Sequence, residues 1–477
     1  MPDQFLAPGV YVKEVSSLGK AIVPISTAIP AFLGYTEKGP SDPQRIDSMQ
    51  HFEEVFGGPK ASITMNTSGG VSSPTSAIAL PGPAFYYAMV IYFANGGGPC
   101  WIVSVGTFKD PVASDFLGTE LVPGPLVALD KIDEISLVYI PELALIEDPN
   151  ASGTNYQKLA AHAAKQGEVV QKVLADCARR GDRFGLFDIF VRSYSNSTKA
   201  FRENCGTQNL SYGAAYYPQV EYGMAIPDAA IIFANSNNIC DGKTLSEVLA
   251  LAEEDSVDGR LAAGIIHPRV ATIRKNANKL INYYIGAGAA MAAIYGTTDA
   301  QRGVWKAPAG MSLTGINKPI QHYVMRGDDD VADSSGNGKD INAIRMNPQS
   351  LPQVWGARTL AGGDLDYRYI SVRRFMIFVG QTLKRSSSFA VFEANDASTW
   401  GTLTTMCESF LSNLWRDGAL MGGKPSEAFK VNIGLGKSMS ADDIQKGILR
   451  INISMAPVRP AEFIHLQFGD LVQNPVS

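Results

Sequence analysis

Hydrophobic residues recur at helical spacing over residues 398–417. Trp400, Leu403, Met406, Cys407, Phe410, Leu411, Leu414 and Trp415 fall at i, i+3 and i+4 positions. This pattern predicts a long helix with one face toward a core; Asp396 or Ser398 can cap its start and Gly418 can end it. Strand-like runs follow at 429–433, 448–455 and 462–468. In the second, Leu449, Ile451, Ile453 and Met455 alternate with Arg450, Asn452 and Ser454, which is the period-two pattern of a half-buried strand.

Nearer the start, residues 31–34 read as a strand, 49–56 as a short helix and 66–76 as a Gly/Ser/Thr-rich loop. A helix over 84–94 ends at Asn95-Gly96-Gly97-Gly98, where glycine suits a left-handed helix end. Residues 101–105 then form a buried strand. The middle alternates: a strand at 135–140, a helix over 157–180 and a strand at 184–191. Leu159, Ala163, Val170, Val173, Leu174 and Cys177 lie near one face of that helix. The strand–helix–strand order argues for an α/β layer, in a chain of mixed α/β (α+β) class. Residues 327–339 are an exposed polar loop.

The first 25 residues contain strand formers around Val10, Tyr11 and Val12, interrupted by Pro2, Pro8, Gly9, Gly19 and Pro24. Such a segment has no partner within itself, so it joins a sheet elsewhere or stays unpaired.

Composition narrows the function. Of 477 residues, 45% are hydrophobic and 18% charged, as in folded proteins of two or three domains. With 41 basic and 46 acidic residues, the net charge of -5 argues against a nucleic-acid binder, which carries a basic surplus. Five scattered cysteines without a CxxC pair fit reduced thiols in a cytosolic product. The N-terminus lacks the pattern of a signal peptide, and no apolar run reaches the ~18–20 residues that span a bilayer. These features predict synthesis in the cytoplasm and no insertion into a membrane.

Candidate chemistry is sparse. Gly96-Gly97-Gly98 lacks the following Lys-Ser/Thr of a phosphate loop, and neither GxSxG nor HExxH occurs. The histidines (His51, His162, His267, His322, His465) are far apart, and Asp328-Asp329-Asp330 lacks the spacing of a calcium loop. No catalytic, cofactor-binding or metal-binding residue is assigned. The α/β middle alone also suits an enzyme or a surface-binding module, since fold class is a poor guide to activity.

Several stretches, in order, resemble the contractile tail-sheath family. They are PGVYV at 8–12, TAIPAFLGYTEKGP at 27–40, HFEEVFG at 51–57 and FANGGGPCWIVSV at 93–105. RGVWKAPAG at 302–310, INAIRMNP at 341–348, VWGARTL at 354–360 and YRYISVRR at 367–374 follow. FEANDASTW at 392–400, GAL at 418–420 and PVRPAEFI at 457–464 close the series. Residues 221–280 have little that matches.

The resemblance implies a structural subunit of hexameric discs stacked helically around an inner tube, with baseplate and tail-terminator proteins at the ends. It implies extended arms at 1–25 and 469–477, which add strands to neighbouring subunits through Val10, Tyr11, Val12, Leu471 and Val472. Residues 26–107 and 350–468 would form an inner domain and 108–349 an outward insertion. The inner tube would meet charges of the C-terminal part: Glu408, Arg416, Asp442, Asp443 and Lys446. Assembly into a phage tail or a phage-tail-like particle follows, with no cofactor.

Overall fold

A computed structural model describes residues 22, 24–58, 61–63, 84–119, 123–189, 197–222, 227–233, 236, 238–279, 284–319, 338–346 and 351–462. The chain divides into two compact units: residues 26–378 with 459–477, and residues 379–458 with 1–25.

The larger unit is built on an eight-stranded sheet. Its strands are β1 (Pro30–Thr36), β2 (Gln44–Ile46), β3 (Cys100–Thr107), β4 (Leu137–Tyr139), β5 (Phe184–Asp188), β6 (Gly213–Tyr217), β7 (Asn342–Arg345) and β8 (Gln353–Trp355). Their spatial order is β8-β7-β6-β5-β4-β1-β3-β2. The six inner strands run parallel, and β8 and β2 close the edges antiparallel. Thus β1 and β3 share one sheet with strands from residues 137–355.

Alternate residues feed two cores, as a sheet covered on both faces requires. Phe32, Ile102, Leu137, Phe184, Leu186 and Tyr216 face one core. Helices α1 (Met49–Phe56) and α2 (Ala84–Ala94) contribute to it, and α2 is apolar nearly all round because it is buried nearly all round. Ala31, Leu33, Val103, Val138, Phe187 and Ala215 face the other core, against Val170, Val173, Leu174 and Cys177 of α3 (Asn155–Arg180). That helix starts two residues before the predicted position 157, because Thr154 and Gln157 form a reciprocal capping box. A tight clustering of rings surrounds Phe32, with Phe85, Tyr92 and Tyr139 edge-on to it at centroid distances of 5.0–6.5 Å.

The described residues of the stretch with little match to the family, and of its flanks, form regular elements. Val220–Tyr222, Tyr284–Ile285 and Ile316–Pro319 form a three-stranded sheet, and the helices Leu245–Ala252, Val257–Ile266 and Val270–Lys279 pack into the first core. All five cysteines are buried and unpaired.

Helix α4 (Gly288–Arg302) enters the first core beside a buried carboxylate. Asp188, at the end of β5, accepts from Tyr139 Oη at 2.5 Å and from the Gly288 amide at 3.0 Å. It thereby occupies the anion position at a helix N-terminus. Glycine is needed here, since a Cβ on Gly286 would come within 1.9 Å of Asp188 Oδ2. Burial raises the pKa of Asp188 to about 6, against the opposing hydrogen bonds from Tyr139 and from the amides of Gly288 and Ala287. Glu142, equally buried, is pushed well above the ordinary range in the same way.

This shift sets the sign of the pH effect. A carboxyl whose folded value exceeds its unfolded value makes the fold less stable once ionised, so stability rises as pH falls through about 6. Between pH 7 and pH 5 the Asp188 contribution is about 1 kcal/mol. Chemical denaturation at both pH values checks this: Asp188→Asn should reduce the gain on acidification by that amount, and an identical gain in the variant refutes it.

The smaller unit contains the latter part of α5 (Ile370–Ser386), α6 (Ala397–Arg416), β9 (Phe429–Asn432), the short helix α7 (Ala441–Gln445) and β10 (Asn452–Met455). Asp396 caps α6 by accepting from the Thr399 amide. Leu403, Cys407, Phe410, Leu411 and Leu414 are buried, as the period requires. Trp400 is half-buried, bonding Asn395 through Nε1 and lying beside Gly434. The regular strand β10 begins at Asn452, later than the alternation predicts. The Ile448 amide turns back to the Asp443 carbonyl, yet residues 449–455 keep the alternating exposure.

Phe392 is the strained point of this unit: its φ is 73° and its side chain is fully exposed. A left-handed backbone at a non-glycine residue costs about 1–2 kcal/mol, and an exposed ring returns no burial energy. Phe392→Gly should therefore raise the urea midpoint, by about 1 kcal/mol of stability, whereas a lowered midpoint shows that the ring is needed for folding.

Candidate assembly surfaces

The β9–β10 hairpin pairs Phe429 with Met455 and Asn432 with Asn452. Its inner face, with Val431, Ile433, Leu449 and Ile451, packs with Leu403, Met406 and Trp400 of α6. Among the described residues no third strand joins it. Beyond Met455 the ladder continues as the bridge of Leu420 to Pro457, with the Met421 amide donating to Ala456 and the Val458 amide to Ala419; a two-stranded ladder has outer edges that a further strand can join. Val10, Tyr11, Val12, Leu471 and Val472, the residues expected to supply such strands, lie outside the described residues.

The chain next to each arm is held by charge. Thr27 Oγ1 donates to Asp299 Oδ2 at 2.5 Å, and Arg374 bonds both Asp299 oxygens and the Thr27 carbonyl at 2.5–3.0 Å. The Arg374 and Asp299 side chains are only 3% and 7% exposed. In the smaller unit the Ile25 amide donates to Thr382 Oγ1 at 3.4 Å. At the other end, Arg358 meets the Glu462 carboxylate through Nε at 2.9 and 3.0 Å and through Nη2 at 2.5 Å. Its Nη1 meets Asp340 at 2.8 Å. Sequence reading missed both clusters, since their members lie 75 and 104 positions apart and no local spacing joins them.

The five charges expected to face a tube separate into two kinds. Glu408 and Arg416 are exposed on α6, and Asp442 and Lys446 are exposed and paired at 2.6 Å across one turn of α7. Asp443 is committed to the fold. It forms a capping box with Ser440, pairs with Arg450 at 2.9 Å, and is held at about 2 chiefly by the Ser440 amide and by Arg450.

Among the described residues, no group of three His, Cys, Asp or Glu side chains could hold a metal, and no helix is long and apolar enough to cross a membrane.

A family model, the phage tail sheath C-terminal domain, matches residues 363–469. No curated protein sequence matches the chain. Solved structures match it over nearly its whole length. A chain of the anti-feeding prophage helical sheath in the contracted state is 26% identical, with 98% of this chain and 99% of that one covered and a TM-score of 0.61. A chain of the six-fold symmetrised anti-feeding prophage baseplate is 27% identical over the same shares, with a TM-score of 0.60. The contracted sheath complex of the PVC extracellular contractile injection system gives 24% identity over the same shares and a TM-score of 0.65. Residues 363–469 thus match the phage tail sheath C-terminal domain, in a chain similar in fold to contractile-injection-system sheath proteins over 98% of its length.

Proposed function

We propose that this protein is a structural subunit of a contractile sheath, stacked in six-membered rings around an inner tube. The observation that carries the reading is the β9–β10 hairpin without a third strand among the described residues, in a chain similar to a helical sheath protein over 98% of its length. Residues 1–25 and 469–477 of neighbouring copies add strands to its edges. Backbone pairing tethers the subunits while each rotates as a body. Such contacts join unlike surfaces and so propagate into open helices. Contraction buries further subunit surface and needs no nucleotide; baseplate and terminator proteins close the two ends.

The tube-facing contacts fall to the unit containing residues 379–458, through Glu408, Arg416, Asp442 and Lys446. Exposed, screened charges suit a contact that must break on firing. Lys446→Glu together with Asp442→Lys retains the local pair in reverse, leaves the Asp443 cap intact, and should impair co-assembly on the tube. Full-length extended particles from this double variant would remove α7 from the tube contact.

Cysteine cross-linking tests strand addition. Because the native cysteines are buried, a cysteine at Val12 and one at Asn432 should couple between copies in assembled material. No coupling in well-formed sheaths would reject this pairing.

A further inference from the structure

We propose that Arg358 is a positioning residue for the C-terminal arm, holding Glu462 so that the following residues leave the subunit in one direction. The inference rests on the strand-addition reading and names the device that aims one of the strands. Glu462 is followed by fifteen residues, FIHLQFGDLVQNPVS, from which the arm is drawn.

The geometry is that of a socket made before the arm arrives. Arg358 follows β8 by three residues, and its Nη1 is fixed by Asp340, whose side chain is 8% exposed. Asp340 in turn sits against Gly362, where a Cβ would fall 2.1 Å from Oδ2. The Asn342 side chain also accepts from the Arg358 amide and donates to the Arg358 carbonyl, fixing the backbone. The guanidinium is therefore held flat, with Nε and Nη2 directed at Glu462, and a planar fork of this kind matches a carboxylate in direction as well as charge. Tyr369 Oη adds a longer contact to the same carboxylate at 3.4 Å. Arg459, three residues earlier, pairs with Asp366 at 3.8 Å, so the returning chain meets two successive ion pairs before the arm begins.

Arg358 has two carboxylates, and only Glu462 lies on the segment that leads into the arm. Losing Glu462 leaves Arg358 paired with Asp340, so folding should survive while direction is lost. A surface charge of no particular role would not be expected to affect the segment beyond it.

The test uses the full chain with a nitroxide on His465→Cys, three residues past the clamp. Glu462→Gln should leave the melting temperature within about 2 °C of the parent, and the label's rotational correlation time should fall at least two-fold. In the unlabelled protein, mean sheath length should fall at least five-fold, with partial recovery in Glu462→Asp. Unchanged label motion overturns the proposal, as does loosened motion with sheaths of full length. A chain ending at Glu462 separates the two readings: if it assembles as well as the full chain, C-terminal strand addition itself is wrong.

Discussion

Shortened to begin at Ile22, the protein should melt as the full chain does and form no sheaths longer than a few rings. The cut leaves every anchor of the following segment in place: Ile25 on Thr382, and Thr27 on Asp299 and Arg374. The sheet's cores begin at Ala31 and Phe32. Stability is therefore carried by what remains, while the strand that would complete a neighbour's hairpin is gone. The loss should be nearly total, because each ring of a sheath depends on the same contact. Calorimetry and length measurement by microscopy check the two halves. A large fall in melting temperature would show residues 1–21 to be part of the subunit's own fold.

The second large effect is on folding. Arg374→Met should lower stability by about 3–5 kcal/mol, because it strands the Asp299 carboxylate in a site 7% exposed. The guanidinium also lies over the Tyr295 ring at 4.5 Å, and Tyr295 shares a buried hydroxyl pair with Tyr216 at 2.6 Å. Replacing both charges, with Arg374→Met and Asp299→Leu, should recover at least half of the loss, since no unpaired charge remains. Urea denaturation measures both variants. A single-variant loss below about 1 kcal/mol would mean that water reaches Asp299, and the account of this clamp would fail.

Local pattern made several elements legible before the structure. The bounds of α1 and α2 follow from their apolar runs and the glycines after them, and the buried face of α6 follows from its period. Alternation pointed to a strand over 448–455, of which residues 452–455 are regular strand. The order of the sheet was not legible, because β1 finds its neighbours at 100–107 and 137–139, and nothing in a strand's own pattern names its partner. Short strands such as Val220–Tyr222 and Tyr284–Ile285 are too brief for periodicity to distinguish.

The site was legible to a similar degree. Exposed charges were found on α6 and α7, whereas most of the arm expected over residues 1–25 lies outside the described residues. That Asp443 is a cap and Asp442 a free-standing partner of Lys446 depends on one residue of helical phase. Arg358 and Arg374 stood in stretches that drew attention, but their carboxylate partners are distant in sequence and so gave no signal.

Imaging the purified chain by cryo-electron microscopy, with no other protein added, tests the central claim most directly. The account predicts helical tubes of six-fold symmetry in which each β9–β10 hairpin gains strands from neighbouring copies. Discrete monomers or closed dimers at all concentrations, with hairpin edges left open, would contradict it.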